Sequence, residues 1–302
     1  MSISAKSVMT KIASKSSVLH AVEGEDCENL KRCLTRMVED LQSACFSNGI
    51  DFCFCYGSAL GAHRHQGFIP WDDDVDIAML REDWECFKEK FETLLGDRYV
   101  LEGPGYGNKD TKVAWGKIYL KNSLLLEIQD VNVPYEKGVF VDVFIIDGLS
   151  DNKIVRFFDR KIAKFMKGVA TSMVYYKYPN DMMETYMAVS KTSWVYFKLR
   201  KFLGFSFSFI SHKRWCEMYD KFISRHRKSK YTIMDYNDGI RLRSDWKPFD
   251  KAQFNGLTVN VPKDNSRYLR DLFGPTFMEL PPEDKRERHF VVEMQIPDVM
   301  NA

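Results

Sequence analysis

The fold of this chain is decided by residues 56–77, which read YGSALGAHRHQGFIPWDDDVDI. A short apolar run at 52–55 precedes them and predicts a strand. A strand that passes through Gly57-Ser58 into a helix presents backbone N–H groups and a hydroxyl, which together can bind a phosphate at the helix N-terminus. A Gly-Ser turn is common in proteins, so this signal gains its significance only from the aspartates that follow it.

Four carboxylates occupy the five positions 72–76. Carboxylates this close repel one another unless a positive charge lies among them. Because side chains alternate along a strand, a strand that includes Asp74 and Asp76 would project both carboxylates to the same face. Two carboxylates in that arrangement can share a hard divalent cation such as Mg²⁺ or Mn²⁺.

Asp142 is the natural third ligand of such a cation. It lies alone in the run 139–146, whose β-branched and aromatic residues predict a strand. A carboxylate buried there without a partner would cost several kcal/mol, so a metal or a cationic side chain is expected beside it. We therefore predict a metal site formed by Asp74, Asp76 and Asp142. The alternatives are a solvated acidic loop with Asp142 on an edge strand, or a calcium loop, although the sequence lacks the Gly and Glu of an EF-hand.

Hydrophobic periodicity along the chain predicts a mixed α+β domain with helices appended to a small sheet. The domain spans 23–295 and includes a basic helical insertion at 150–230, whereas the Ser- and Lys-rich segment 1–22 is expected to be loosely ordered. The predicted helices outside the insertion are 25–48 and 81–95, and the predicted strands are 52–55, 77–79, 113–120, 124–128 and 139–146.

Composition narrows the class of protein. Apolar residues make up 45% of the chain and charged residues 28%, which is typical of a globular enzyme, and the net charge of +2 argues against nucleic-acid binding. The seven cysteines include no C-x-x-C pair, which favours a reducing compartment. No signal peptide and no run of about 20 apolar residues is found. We therefore expect a cytoplasmic protein, which its basic helices could bring to the inner face of a membrane.

The stretch 56–77 closely resembles the signature of the LicD family, which includes bacterial phosphorylcholine transferases and fukutin-type transferases within the nucleotidyltransferase superfamily. A thinner similarity continues through 115–117, 140–144 and 268–282. The resemblance implies a nucleotidyltransferase-like mixed sheet with flanking helices. The superfamily pattern is Gly-Ser, then Asp-x-Asp, then a third carboxylate. The residues at those places are Gly57, Ser58, Asp74, Asp76 and Asp142. No cysteine cluster matches the zinc site of some fukutin-type relatives.

Enzymes of this family take a CDP-linked donor such as CDP-choline, pass the phosphorylated headgroup to a sugar hydroxyl and release CMP. The resemblance therefore implies a phosphorylcholine-type transferase that uses Mg²⁺ or Mn²⁺ and modifies a cell-surface glycan, which could be lipid-linked. It implies three groups of site residues. The catalytic group is Asp72, Asp74, Asp76 and Asp142. The donor-phosphate group is Gly57, Ser58, Arg64 and Lys117. The headgroup aromatic residues, which could face a quaternary ammonium, are Tyr56 and Trp71.

Several alternatives stay open from the sequence. The headgroup could be phosphoethanolamine, glycerol phosphate or ribitol phosphate, the reaction could be true nucleotidyl transfer, or the chain could be a non-catalytic nucleotide- or glycan-binding module. Arg64 and Lys117 could be surface cations, and Trp71 could anchor the turn at Pro70 in the core. The basic helices could be a solvated face or could contact an anionic membrane surface.

Overall fold

The computed structural model describes residues 19–106, 115–235, 239–282, 286 and 290–297. The fold is α+β, as predicted. Its strands are β1 (His20–Ala21), β2 (Cys53–Phe54), β3 (Asp76–Leu80), β4 (Tyr99–Glu102), β5 (Gly116–Leu120), β6 (Leu124–Glu127), β7 (Phe140–Leu149), β8 (Tyr231–Ile233), β9 (Arg241–Leu242), β10 (Asp250–Phe254), β11 (Leu257–Val261) and β12 (Phe290–Gln295). Its α-helices are α1 (Gly24–Phe46), α2 (Tyr56–Arg64), α3 (Arg81–Leu95), α4 (Lys153–Lys177), α5 (Asp181–Met187), α6 (Lys191–Ser206), α7 (His212–Ile223) and α8 (Asn265–Phe273).

A mixed sheet forms the centre of the molecule. Its main strand order is β2-β3-β7-β5-β4, and β8 and β9 extend it beside the end of β7. β3 and β7 are parallel, whereas β2 pairs with β3, and β5 with both β4 and β7, in antiparallel fashion. The sheet therefore places the first residue of β3 beside the third residue of β7, and both are aspartates.

Two predicted helices cover the sheet. The apolar stripe of α1 is buried throughout, and α3 buries Trp84, Phe87 and Phe91 completely. In α1 the thiols of Cys33 and Cys45 belong to this core, and burial raises the pKa of each to about 12. These cysteines are therefore protonated and act as small apolar side chains.

Some element boundaries differ from the prediction. The strand expected to include Asp74 begins at Asp76, so residues 72–75 are a loop that leads into β3. The predicted strand 113–120 begins at Gly116, and its first two positions lie outside the described residues. Strand β1, at the end of the segment 1–22, pairs with β12, while residues 1–18 lie outside the described part of the chain.

The segment between β7 and β8 is helical and basic, and α4 packs against both α6 and α7. It is joined to the sheet by Arg81 at the start of α3. The guanidinium donates two hydrogen bonds to the carboxylate of Asp147 in β7, at 2.7 and 2.8 Å, and a third to Asp220 in α7, at 2.7 Å. No helix in the described residues is long and apolar enough to cross a membrane.

Candidate active site

Three charged side chains lie in one row across the central sheet. The register of the parallel pair aligns Asp76 of β3 with Asp142 of β7, and the antiparallel pair aligns Asp142 with Lys117 of β5. The strand spacing of about 4.8 Å makes such in-register residues direct neighbours. The sheet therefore brings together an acidic residue from the signature, the carboxylate expected as its third partner, and a lysine.

Asp142 is held by two donors on its β5 side. Lys117 Nζ lies 3.0 Å from Asp142 Oδ1, and Trp115 Nε1 donates a hydrogen bond to the same oxygen at 3.0 Å. The lysine side chain is 5% exposed, and its ammonium also lies over the ring of Phe140. The cation expected beside Asp142 is therefore Lys117. Both contacts go to Oδ1, and none of the described contacts involves Oδ2. Oδ2 is therefore the oxygen of Asp142 that a ligand could reach.

Asp76 is positioned by the first turn of α2. Ser58 Oγ accepts a hydrogen bond from the Asp76 N–H at 2.8 Å, and the Asp76 carbonyl accepts one from the Cys55 N–H at 3.1 Å. Ser58 is buried. A side chain at position 57 would place its Cβ 2.8 Å from Asp72 Oδ2, so the Asp72 carboxylate would have to move away from this turn. The Gly-Ser pair thus fixes the position of two signature aspartates.

Replacement of Ser58 by alanine tests this arrangement. The change leaves the partly buried Asp76 N–H without its acceptor, which should cost about 1 kcal/mol of unfolding free energy. We expect Ser58→Ala to lower the melting temperature and kcat, with a smaller change in the donor KM, measured by thermal unfolding and steady-state kinetics. Ser43→Ala on the exposed face of α1 is the matched control. A raised donor KM with unchanged stability would instead indicate that the hydroxyl serves only to bind donor phosphate.

A cavity of about 340 Å³ opens beside the charged row. Asp74, Asp76 and Asp142 line it, together with Lys117. Thr171, Val174 and Tyr175 of α4 form another wall, so the helical insertion contributes to the site. The complete lining is Asp74, Asp76, Trp115, Lys117, Glu127, Gln129, Asp130, Phe140, Asp142, Phe144, Thr171, Val174 and Tyr175.

The cavity also has an aromatic and acidic side that was not predicted. The rings of Trp115 and Phe144 stack with centroids 6.0 Å apart and an interplanar angle of 13°. Glu127 at the end of β6 and Asp130 in the following turn add two carboxylates. Trp115 and Phe144 belong to segments that resemble the family, which was a usable signal. Glu127, Asp130 and Tyr175 fall in no motif, so nothing in the sequence indicated them.

The remaining predicted site residues lie outside the cavity lining, and they are Tyr56, Gly57, Ser58, Arg64, Trp71 and Asp72. Tyr56 packs edge-on against the cavity residue Phe144, with centroids 4.8 Å apart, so it supports the wall from behind. Trp71 packs on the core, and the guanidinium of Arg286 lies 4.5 Å from its ring centroid. Arg64 donates hydrogen bonds to the carbonyls of residues 277 and 279, at 2.8 and 3.1 Å. The geometry therefore does not bring Trp71 or Arg64 to the cavity.

The donor set fits a magnesium or manganese ion that is shared with a substrate. Among the described residues, no three His, Cys, Asp or Glu side chains converge into a ligand group for a metal ion. Asp76 and Asp142 nevertheless face each other across adjacent strands, and Asp74 lines the same cavity. Mg²⁺ is commonly held by one or two carboxylates together with phosphate oxygens of the substrate, rather than by a complete protein cage. An aspartate pair in this position matches that mode of binding.

Comparison with known proteins agrees with this architecture. Residues 49–156 match the LicD/FKTN/FKRP nucleotidyltransferase domain. The chain is 22% identical over 264 residues, 86% of its length, to the lipopolysaccharide cholinephosphotransferase LicD of Haemophilus influenzae, of which the match covers 94%. An uncharacterized protein of Rickettsia typhi is 42% identical over 56 residues, 18% of each chain. The matched domain includes the Gly-Ser turn, the acidic loop and the row formed by β3, β7 and β5. Residues 49–156 therefore form a nucleotidyltransferase domain of the LicD family.

Proposed function

We propose that this protein transfers phosphocholine from CDP-choline to a hydroxyl group of a glycan and releases CMP. Family membership and the similarity to a lipopolysaccharide cholinephosphotransferase support a phosphotransferase that modifies a glycan. The choice of donor and headgroup rests on the cavity. A lipid-linked glycan is the proposed class of acceptor.

The observation that carries this proposal is that one cavity combines two groups of side chains. The first group is Asp74, Asp76 and Asp142, which would hold a cation bridging a diphosphate. The second group consists of aromatic rings and two further carboxylates. Aromatic faces attract a quaternary ammonium by about 0.5–2 kcal/mol each, and nearby negative charge strengthens the attraction. A polyol phosphate would instead be recognised through hydrogen bonds, for which the lining offers Gln129 and Thr171, so the donor panel below compares both kinds of headgroup.

The reaction exchanges one phosphorus–oxygen bond for another. The acceptor oxygen bonds to the phosphorus that carries choline, the bond from that phosphorus to the CMP oxygen breaks, and the hydroxyl proton passes to a carboxylate at the site. A bound divalent cation would neutralise charge that develops on the diphosphate. Lys117 keeps Asp142 oriented, and Ser58 keeps Asp76 in place. Asp72, beside Gly57, remains a candidate proton acceptor from the family resemblance.

A donor panel tests the proposal directly. The purified chain is incubated with CDP-choline, CDP-ethanolamine, CDP-glycerol or CDP-ribitol, with Mg²⁺ or Mn²⁺ and a lipopolysaccharide acceptor. We expect CMP release to be fastest with CDP-choline, and phosphorus NMR and mass spectrometry should find phosphocholine on the glycan. A cytidylyl adduct would indicate nucleotidyl transfer. Preferential turnover of CDP-glycerol or CDP-ribitol would indicate that the transferred headgroup is glycerol phosphate or ribitol phosphate. No turnover of any donor would favour a non-catalytic binding module.

Tyr175 is expected to contribute to recognition of the ammonium group. Tyr175→Leu removes an aromatic side chain from the cavity lining and should raise the KM for CDP-choline about fivefold or more, equivalent to about 1 kcal/mol. Inhibition by CMP, which lacks the headgroup, should change little. Tyr176→Leu is the matched control, because the adjacent ring is exposed and packs against Phe205 instead. Equal effects of both variants on the KM for CDP-choline would show that Tyr175 has no specific role in headgroup binding.

A further inference from the structure

Helix α4 exposes an apolar stripe along its N-terminal half. Ile154, Phe158, Ile162 and Phe165 recur at steps of four, four and three, which places them on one face of the helix. All four are exposed, and Phe158 is 57% exposed. Single apolar residues are normal on a protein surface, whereas a contiguous stripe marks an interaction site. Within the part of the chain that the structure describes, nothing covers this half of α4.

Exposed apolar residues also lie on α6, which packs against α4, and on the turn that follows it. Leu199 and Phe202, one helical turn apart on α6, are 62% and 66% exposed, and Phe209 is 78% exposed. Ring contacts join the stripe to the turn after α6, because Phe207 lies 5.4 Å from Phe165 and 6.1 Å from Phe209 between ring centroids, and α6 itself packs against α4. We call this surface the α4–α6 face. Its apolar members are Ile154, Val155, Phe157, Phe158, Ile162, Phe165, Val195, Leu199, Phe202 and Phe209.

The charge of this region is strongly positive. Residues 153–206 contain eleven Lys and Arg residues and three acidic residues, a formal charge of +8 in a chain whose total is +2. The one acidic residue of α4, Asp159, is turned inward and pairs with Arg225 at 2.7 Å and His226 at 2.9 Å. Glu184 of α5 binds Lys198 and Lys201 of α6. Exposed carboxylates are thus absent from α4, while Lys153 and Lys161 are exposed beside the apolar stripe.

Aromatic and aliphatic side chains flanked by lysines are the combination that binds the interface of an anionic bilayer. The apolar side chains enter the boundary between headgroups and acyl chains, and each lysine near the surface adds about 1 kcal/mol of attraction to anionic lipid. An uncharged protein partner would gain nothing from the excess of positive charge. The formal charge of +8 in residues 153–206 therefore favours an anionic lipid surface over a neutral protein as the binding partner of this face.

We propose that the α4–α6 face docks the protein on an anionic lipid bilayer. The same helix that carries the stripe lines the cavity with Thr171, Val174 and Tyr175. Phe158 and Val174 are 16 residues apart, which corresponds to about 24 Å along the helix. Docking through the N-terminal half of α4 would hold the cavity within reach of an acceptor anchored in that bilayer. The inference goes beyond the proposed chemistry and does not depend on it.

Vesicle co-sedimentation of the full chain tests this inference without measuring catalysis. We expect binding to phosphatidylcholine vesicles that contain phosphatidylglycerol, weaker binding as salt is raised, and little binding to phosphatidylcholine alone. Phe158→Ser with Ile162→Ser should weaken binding about tenfold or more, because two exposed apolar side chains lose their insertion. Phe273→Ser with Leu280→Ser, which alters two exposed apolar residues outside these helices, should bind as the unmodified chain does.

A charge-reversal pair separates electrostatic from apolar attraction. Lys153→Glu with Lys161→Glu should reduce binding to the anionic vesicles, whereas Lys90→Glu with Lys228→Glu, of equal charge change on other exposed surfaces, should reduce it much less. Equal binding to neutral and anionic vesicles, or equal losses in both pairs, would overturn the proposal. A dimer in sedimentation velocity that Phe158→Ser with Ile162→Ser converts to a monomer, without vesicle binding, would assign the face to a second copy of the chain.

Discussion

Asp76→Asn is expected to lower kcat by about 10³-fold or more, which corresponds to about 4 kcal/mol of activation free energy. The amide has nearly the size of the carboxylate, and the backbone N–H at position 76 keeps its hydrogen bond to Ser58 Oγ. The fold should therefore remain intact. The lost negative charge removes a ligand of the proposed cation, opposite Asp142 in the sheet register. Activity is measured as CMP release at saturating donor and metal.

Cation binding provides a readout that does not depend on turnover. Manganese binding in the presence of donor, followed by electron paramagnetic resonance, should weaken in Asp76→Asn by about tenfold or more, because a charged ligand is replaced by a neutral one. Asp97→Asn, on the exposed surface after α3, is the control and should change neither measurement. If Asp76→Asn kept more than about a tenth of kcat, the metal assignment would be wrong.

The part of the site that is contiguous in sequence was predictable. The strand before Gly57, the acidic segment and the strand around Asp142 each follow from a local pattern, and the α+β fold is confirmed. The catalytic roles of the aspartates stay predictions. Local periodicity shows which face a side chain occupies, but it does not specify which strands are neighbours. The pairing of Lys117 with Asp142 depends on the order β3-β7-β5, which no local pattern contains.

Arg64 and Trp71 were assigned to the site because they belong to the signature stretch, and they show what a local pattern cannot predict. Arg64 is at the last turn of α2, where its guanidinium reaches the carbonyls of 277 and 279 rather than the cavity. Trp71 lies in the turn before the acidic loop and packs on the core. Conversely, Tyr175 is distant in sequence, and only the packing of α4 over the sheet brings it to the site. The position of Tyr175 in the cavity therefore depends on long-range packing. The sequence pattern of α4 predicted only that the segment is a helix.

The second large effect is expected at Arg81, where the sheet and the helical insertion are joined. Its side chain is 1% exposed and contacts Asp147, which is also buried, and Asp220. Burial alone would lower the pKa of Arg81, but the two carboxylates raise it, so the guanidinium stays charged. Arg81→Met leaves Asp147 as a buried charge without its partner, and such a change costs about 3–5 kcal/mol of unfolding free energy.

Urea unfolding followed by circular dichroism measures this loss. Arg98→Met is the matched control, because Arg98 also pairs with an aspartate, Asp40 at 2.9 Å, but its side chain is 34% exposed. A partly exposed pair of this kind should contribute less than about 1 kcal/mol. Arg81→Met with Asp147→Leu should recover part of the lost stability, since the buried charge is removed together with its partner. If Arg81→Met were no more destabilised than Arg98→Met, the ion pairs would not fasten α7 to the sheet. Helix α4 packs against α7 and forms one wall of the cavity. A loss of stability in Arg81→Met would therefore also weaken donor binding, although Arg81 is not among the residues that line the cavity.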